Sequence, residues 1–96
     1  MNITIKTFES GGKTIAINPP LELNVWTKGG GVYGAFYTPF DMEVTNTSMQ
    51  GLHEDILDWL DMLWTDYACC DEMEMTYGAI ALKRILQKRM KEARNE

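Results

Sequence analysis

GVYGAFYTPFDMEVTNTSMQGLHEDILDWLDMLWTDY, residues 31–67, changes its hydrophobic period partway along, and that change decides the fold. Over residues 32–37 the period is two. Val32, Gly34 and Phe36 share one face and Tyr33, Ala35 and Tyr37 the other, which predicts a strand buried on both sides. A turn at Pro39 follows, and Asp41–Val44 reads as a short strand or extended edge. Beyond it the period becomes helical. Met49, Leu52, Ile56, Trp59, Leu60, Leu63 and Tyr67 form one broad apolar face, with Glu54, Asp55, Asp58 and Asp61 covering the other side. Thr47-Ser48-Met49-Gln50 fits a capping box, in which the Thr hydroxyl and the Gln side chain satisfy free backbone N–H groups reciprocally. The spacing predicts helix one over residues 47–69.

Upstream the chain reads as strands and turns. Ile3 and Ile5 alternate with polar neighbours, and Ser10-Gly11-Gly12 supplies a hairpin turn. Ile15 and Ile17 lie on the return strand, which Asn18-Pro19-Pro20 should stop, because proline cannot donate to a central ladder. Leu21, Leu23 and Val25 then mark a third strand, ended by Lys28-Gly29-Gly30-Gly31. Downstream, Thr76 is the N-cap expected for helix two, over residues 76–94. Its narrow stripe of Ile80, Leu82, Ile85, Leu86 and Met90 suits a free-standing arm or a dimer helix. The expected fold is α+β and a single domain over residues 1–96. A small antiparallel sheet of four to five strands occupies residues 1–45, packed by the long amphipathic helix and followed by the second one.

Ninety-six residues with 45% apolar content support one thin core, to which oligomerisation would add burial. No run approaches the roughly 18 apolar residues of a membrane span, and MNITIKTFESGG lacks the apolar core of a signal peptide, so a cytoplasmic chain is expected. The only two cysteines, Cys69 and Cys70, are neighbours, which excludes an ordinary disulfide framework. The net charge of −5 divides unevenly. Residues 1–82 hold twelve acids against three bases, a balance of −9; residues 83–96 hold six bases against two acids, a balance of +4. An acidic body repels phosphate backbones and favours basic protein partners. The basic end is the one part that could approach nucleic acid, although bases at the end of a last helix also complement its macrodipole.

The chemistry-bearing residues do not assemble into a catalytic set. His53 stands beside Glu54 and Asp55, but neighbours in sequence point in different directions on a helix. Cys69 and Cys70 lie about 24 Å further along at 1.5 Å per residue, too far to share a metal ion with His53. Asp55/Asp58 and Asp58/Asp61 have the spacing of a magnesium-binding pair, yet nothing Gly-rich and basic accompanies them. Gly29-Gly30-Gly31 follows a strand and opens no helix, so it fails as a phosphate loop. Tyr33, Phe36, Tyr37, Trp59 and Trp64 read as core, since stacking platforms for single strands need interleaved bases. Neither a catalytic residue, nor a metal site, nor a cofactor is expected.

The segment from Leu21 to about Leu86 resembles the HicB-like group of small bacterial and phage proteins, antitoxin partners of HicA ribonucleases and their free-standing relatives. The resemblance rests on Leu21–Thr27, Val32–Tyr37, Pro39–Val44, the Thr47-Ser48-Met49-Gln50-Gly51-Leu52 cap, and the continuation through Leu63-Trp64 and Tyr67-Ala68. It implies a small sheet packed by the capped helix, and a non-catalytic role burying the working face of a basic protein such as a toxin ribonuclease. The C-terminal DNA-binding module of full antitoxins has no counterpart here, so sequence-specific DNA binding is not expected.

Glu54, Asp55, Asp58 and Asp61 are thus the expected partner-binding face. Leu57 and Trp64 flank the apolar face of helix one; with Leu82, Ile85 and Leu86 they are the expected homodimer interface. The alternative is an acidic phage or mobile-element decoy that occupies the nucleic-acid channel of a basic protein.

Overall fold

The computed structural model describes residues 2–93, and its fold is α+β. Strand β1 spans Asn2–Ser10, β2 Lys13–Lys28, β3 Val32–Tyr37 and β4 Met42–Asn46. Helix α1 spans Met49–Leu63, α2 Tyr77–Arg89, and a short β5 covers Met90–Glu92. All pairings are antiparallel, in the order β1-β2-β3-β4, with β5 joining β2. Buried and exposed residues alternate along the strands, and both helices join the same buried cluster. Ile5, Phe8, Ile15, Ile17, Leu21 and Leu23 meet Leu52, Ile56, Leu60, Leu63 and Leu86 in it.

The hairpin turns stand where glycine allows them. Gly11 and Gly12 have φ of 58° and 79°, and Gly30 and Gly31 have 91° and 79°, values that cost an L side chain energy. Asn18-Pro19-Pro20 does not stop the return strand, however. β2 runs on through it, with a cis Asn18–Pro19 peptide, so the expected second and third strands are one. The prolines escape the ladder because the register with β1 jumps there: Ile5 faces Leu21, and Thr7 already faces Ala16. On its other edge β2 carries β5 at Ile15–Ile17 and β3 at Val25–Lys28, leaving the prolines between the two.

β3 is buried on both faces at its centre, Gly34 and Ala35, and not along its whole length. Ala35 is in the core, and Tyr33 and Tyr37 are half-buried beside it. On the outer face Gly34 lies under the Trp26 ring: a Cβ there would stand 2.1 Å from Cζ2 of that ring. Phe36, two residues on, is 57% exposed.

The start of α1 is capped one residue later than the pattern predicts. Ser48 is the N-cap, and its Oγ accepts from the Gly51 amide at 2.9 Å. Gly51 therefore occupies the place of the reciprocating Gln or Glu, and Asn46 takes over that role. Asn46 Oδ1 accepts the Ser48 N–H at 3.1 Å, while its Nδ2 donates to Asp55 at 2.7 Å. A Cβ on residue 51 would stand 2.5 Å from Asn46 Oδ1, so any other residue there must displace the Asn46 side chain. At its far end α1 widens into a π turn over Trp64–Ala68, where the Cys69 N–H reaches the Trp64 carbonyl at 3.0 Å.

Helix two begins as expected, with Thr76 Oγ1 accepting from the Ala79 amide at 3.2 Å. It ends early, at Arg89. Met90 then turns into β5 and buries itself at 2% exposure in the same core as Ile15 and Ile17, a burial that breaks the helical stripe. The end at residue 94 expected from the sequence lies outside the described residues. Nor is α2 a free arm: Gln87 Nε2 donates to the Ala68 carbonyl at 3.0 Å, and Lys83 Nζ donates to that of Cys70. These bonds satisfy carbonyls left open where the first helix stops. Among the described residues no helix is long and apolar enough to cross a membrane.

Candidate functional site

α1 turns Leu52, Ile56, Leu60 and Leu63 into the core, and its acids consequently separate onto different flanks. Glu54 is exposed and accepts a long hydrogen bond from Gln50, at 3.3 Å. Asp61 faces the first hairpin, accepting from Ser10 Oγ, with the Thr65 hydroxyl at 3.4 Å. It is a tether for the hairpin tip and does not share a surface with the other acids. Asp55 is half-buried on the opposite flank, held by Asn46. Asp58 is exposed one turn further on. The four acids expected to make one binding face are therefore not one face; Asp55 and Asp58 alone come together.

They do so along a groove between β4 and α1. Its lining is Glu43, Val44 and Thr45 from the strand and Asp55, Asp58, Trp59 and Met62 from the helix, around a volume of about 490 Å³. The three strand residues are consecutive. Successive strand side chains point to opposite faces, so a cavity touching all three runs along the edge of the strand and not over one face. That edge is free: β4 pairs with β3 and with no other strand among the described residues. On the helix side, positions 55, 58, 59 and 62 form a single stripe.

Val44, Trp59 and Met62 give the groove its apolar surface, while Glu43, Asp55 and Asp58 give it charge of one sign. No side-chain hydrogen bond or ion pair holds Glu43 or Asp58 among the described residues. Trp59, expected in the core, is half-buried at the wall of the groove, and its indole N–H is buried without an acceptor. A buried donor left unmade costs roughly 1–3 kcal/mol. The sequence reading did not single out Glu43, Asn46 or Met62. Alternation of Met42 and Val44 with Glu43 and Thr45 marks Glu43 as outward-facing, but only the packing shows that α1 runs beside that edge.

The residues expected at a dimer interface fare differently from one another. Leu86 is fully buried in the chain's own core and is removed from that surface. Leu57, Trp64 and Leu82 are half-buried against the core, and Ile85 is 40% exposed.

The basic end of α2 is divided: Lys83 and Arg89 bond to the body of the fold, while Arg84 and Lys88 are exposed. Arg89 donates to the Tyr37 hydroxyl at 2.7 Å and to the Pro19 carbonyl at 2.8 Å, and its guanidinium lies over the rings of Tyr37 and Phe40. Lys83 is committed to Cys70, and Arg84 stands 3.8 Å from Glu72.

His53 is exposed, Cys69 and Cys70 are free thiols, and no three His, Cys, Asp or Glu side chains gather around a metal-sized space among the described residues. What the groove offers chemically is an apolar floor, a free main-chain edge and unpaired negative charge. No family model, curated protein or solved structure matches this chain.

Proposed function

We propose that this chain is a non-catalytic protein-binding module that presents the β4–α1 groove to a basic protein. The observation that carries the reading is the setting of Glu43 and Asp58, two acids without side-chain partners among the described residues, beside an apolar floor of Val44, Trp59 and Met62. Apolar contact supplies affinity there, and charge of one sign speeds encounter and fixes register. The residue pattern over 21–86 that resembles HicB-like antitoxins supports the same role. On that resemblance the partner is a toxin ribonuclease or another nucleic-acid-binding protein whose working face is covered. Homodimerisation through the helix flanks belongs to the proposal, with Ile85 as its outermost apolar residue in place of the buried Leu86.

The test is capture of a partner by the tagged full chain, compared with two charge reversals. Glu43→Lys with Asp58→Lys should abolish capture of a basic protein. Asp66→Lys, on the exposed part of the π turn, should leave it intact. Equal recovery of the same protein by the groove reversal would overturn the reading.

A further inference from the structure

The groove reading leaves open how a partner would sit in it, and the shape of the groove answers this. We infer that β4 accepts an extended basic segment of the partner as an additional strand, paired along its free edge and clasped by the Asp55–Met62 stripe of α1. The inference rests on the reading of the groove as the binding surface and adds the mode and the chemistry of the occupant.

Four observations point to it. β4 has a neighbour on one side only, so the main-chain groups on its other side are unmatched by any strand among the described residues. The groove follows that edge, since Glu43, Val44 and Thr45 all line it. A helix runs alongside, leaving a slot bounded by a strand edge and a helix stripe, the setting in which extended peptides add to sheets. Finally, every ionisable group lining the slot is an acid. Main-chain hydrogen bonds would supply affinity and alternate side chains specificity. On the outer face, beside Glu43, residues of the added strand would be Lys or Arg; on the helix-facing side they would be apolar, against Val44 and Met62, with Asp58 at the rim of the slot for a basic residue at its end. Trp59, whose indole N–H is buried without an acceptor, lines the same slot.

Charge also selects against the simplest alternative, a second copy of this chain pairing edge to edge. Two such edges would bring two sets of Glu43, Asp55 and Asp58 together, and like charges across strands are destabilising.

The test uses the full chain and a synthetic octapeptide of alternating lysine and valine. It is compared with the same peptide N-methylated at alternate residues and with an alternating glutamate–valine peptide. Binding is followed by tryptophan fluorescence, and amide hydrogen exchange over residues 42–46 by NMR. The lysine peptide should bind and slow exchange within Met42–Asn46. N-methylation should weaken binding by about tenfold or more, the loss expected when two or so main-chain hydrogen bonds go unmade, and the glutamate peptide should not bind. Equal binding of the methylated and plain peptides would overturn strand addition while leaving the acidic groove as the binding surface. Failure of the lysine peptide to bind would overturn it as well, and partner capture that still depends on Glu43 and Asp58 would then show that the groove reading survives. Self-association abolished by Thr45→Pro, with the fold retained by circular dichroism, would overturn it in favour of a second copy.

Discussion

The acidic flank of α1 and the basic end of α2 look like mirror images in composition, yet the fold commits them differently. Two of the four bases on α2 are consumed internally, Arg89 by Tyr37 and Pro19 and Lys83 by Cys70, while Arg84 and Lys88 stay exposed and Leu86 between them is buried. On the β4 side of α1 Asp55 is held by Asn46, but Asp58, with Glu43 of the strand, has no side-chain partner among the described residues at the edge of the apolar groove. Charge density along a chain therefore does not tell which charges remain available for a partner. What decides is which side chains find acceptors or donors within the fold, as Lys83, Arg89 and Asp55 do.

The largest effect that would break this contrast is at Leu86. If α2 is an integral wall, Leu86→Ala should lower stability by about 2–5 kcal/mol in urea unfolding, as for other buried leucines. A change near zero would return α2 to the status of an arm. Arg89→Met should come next, at about 2 kcal/mol, because it removes two hydrogen bonds from a charged donor and the stacking on Tyr37 and Phe40. Arg89→Lys should recover little of it, since a single ammonium cannot reproduce the fork.

Gly51→Ala sharpens the comparison on the acidic side. Alanine is the better helix former by about 1 kcal/mol, but its Cβ would displace the Asn46 side chain and with it the bonds to Ser48 and Asp55. Those losses are about 1–3 kcal/mol, so net destabilisation of about 1 kcal/mol is expected. Adding Asn46→Ala should remove the clash, making the double change cost less than the sum of the two single ones.

These effects also show which parts of the fold were legible in advance. The glycine turns, the helical period after Met49 and the Thr76 cap were all local signals, and each survives in the structure. What local pattern could not show was decided at long range. β2 passes through its two prolines because β1 shifts register around them. Helix two stops where Met90 pairs with Ile17 of β2 and enters the core as part of β5. The cap moves to Ser48 because Asn46, on the end of a strand, reaches across to it. The candidate site was half legible. Asp55 and Asp58 stood out as acids on an amphipathic helix, whereas Glu43 becomes their neighbour only when β4 docks beside α1. Glu54 and Asp61 belonged to the same run in sequence and parted by helical phase.

Smallest in stability, and most direct as a test, is the pair Glu43→Gln with Asp58→Asn. Unpaired surface acids contribute little to folding, so urea unfolding should shift by no more than about 0.5 kcal/mol. Association with the captured basic partner, measured by stopped flow over a range of salt concentrations, should slow several-fold and lose much of its salt dependence. Unchanged association would contradict the assignment of the groove as the binding surface, and a stability loss well above that margin would show that these acids serve the fold instead.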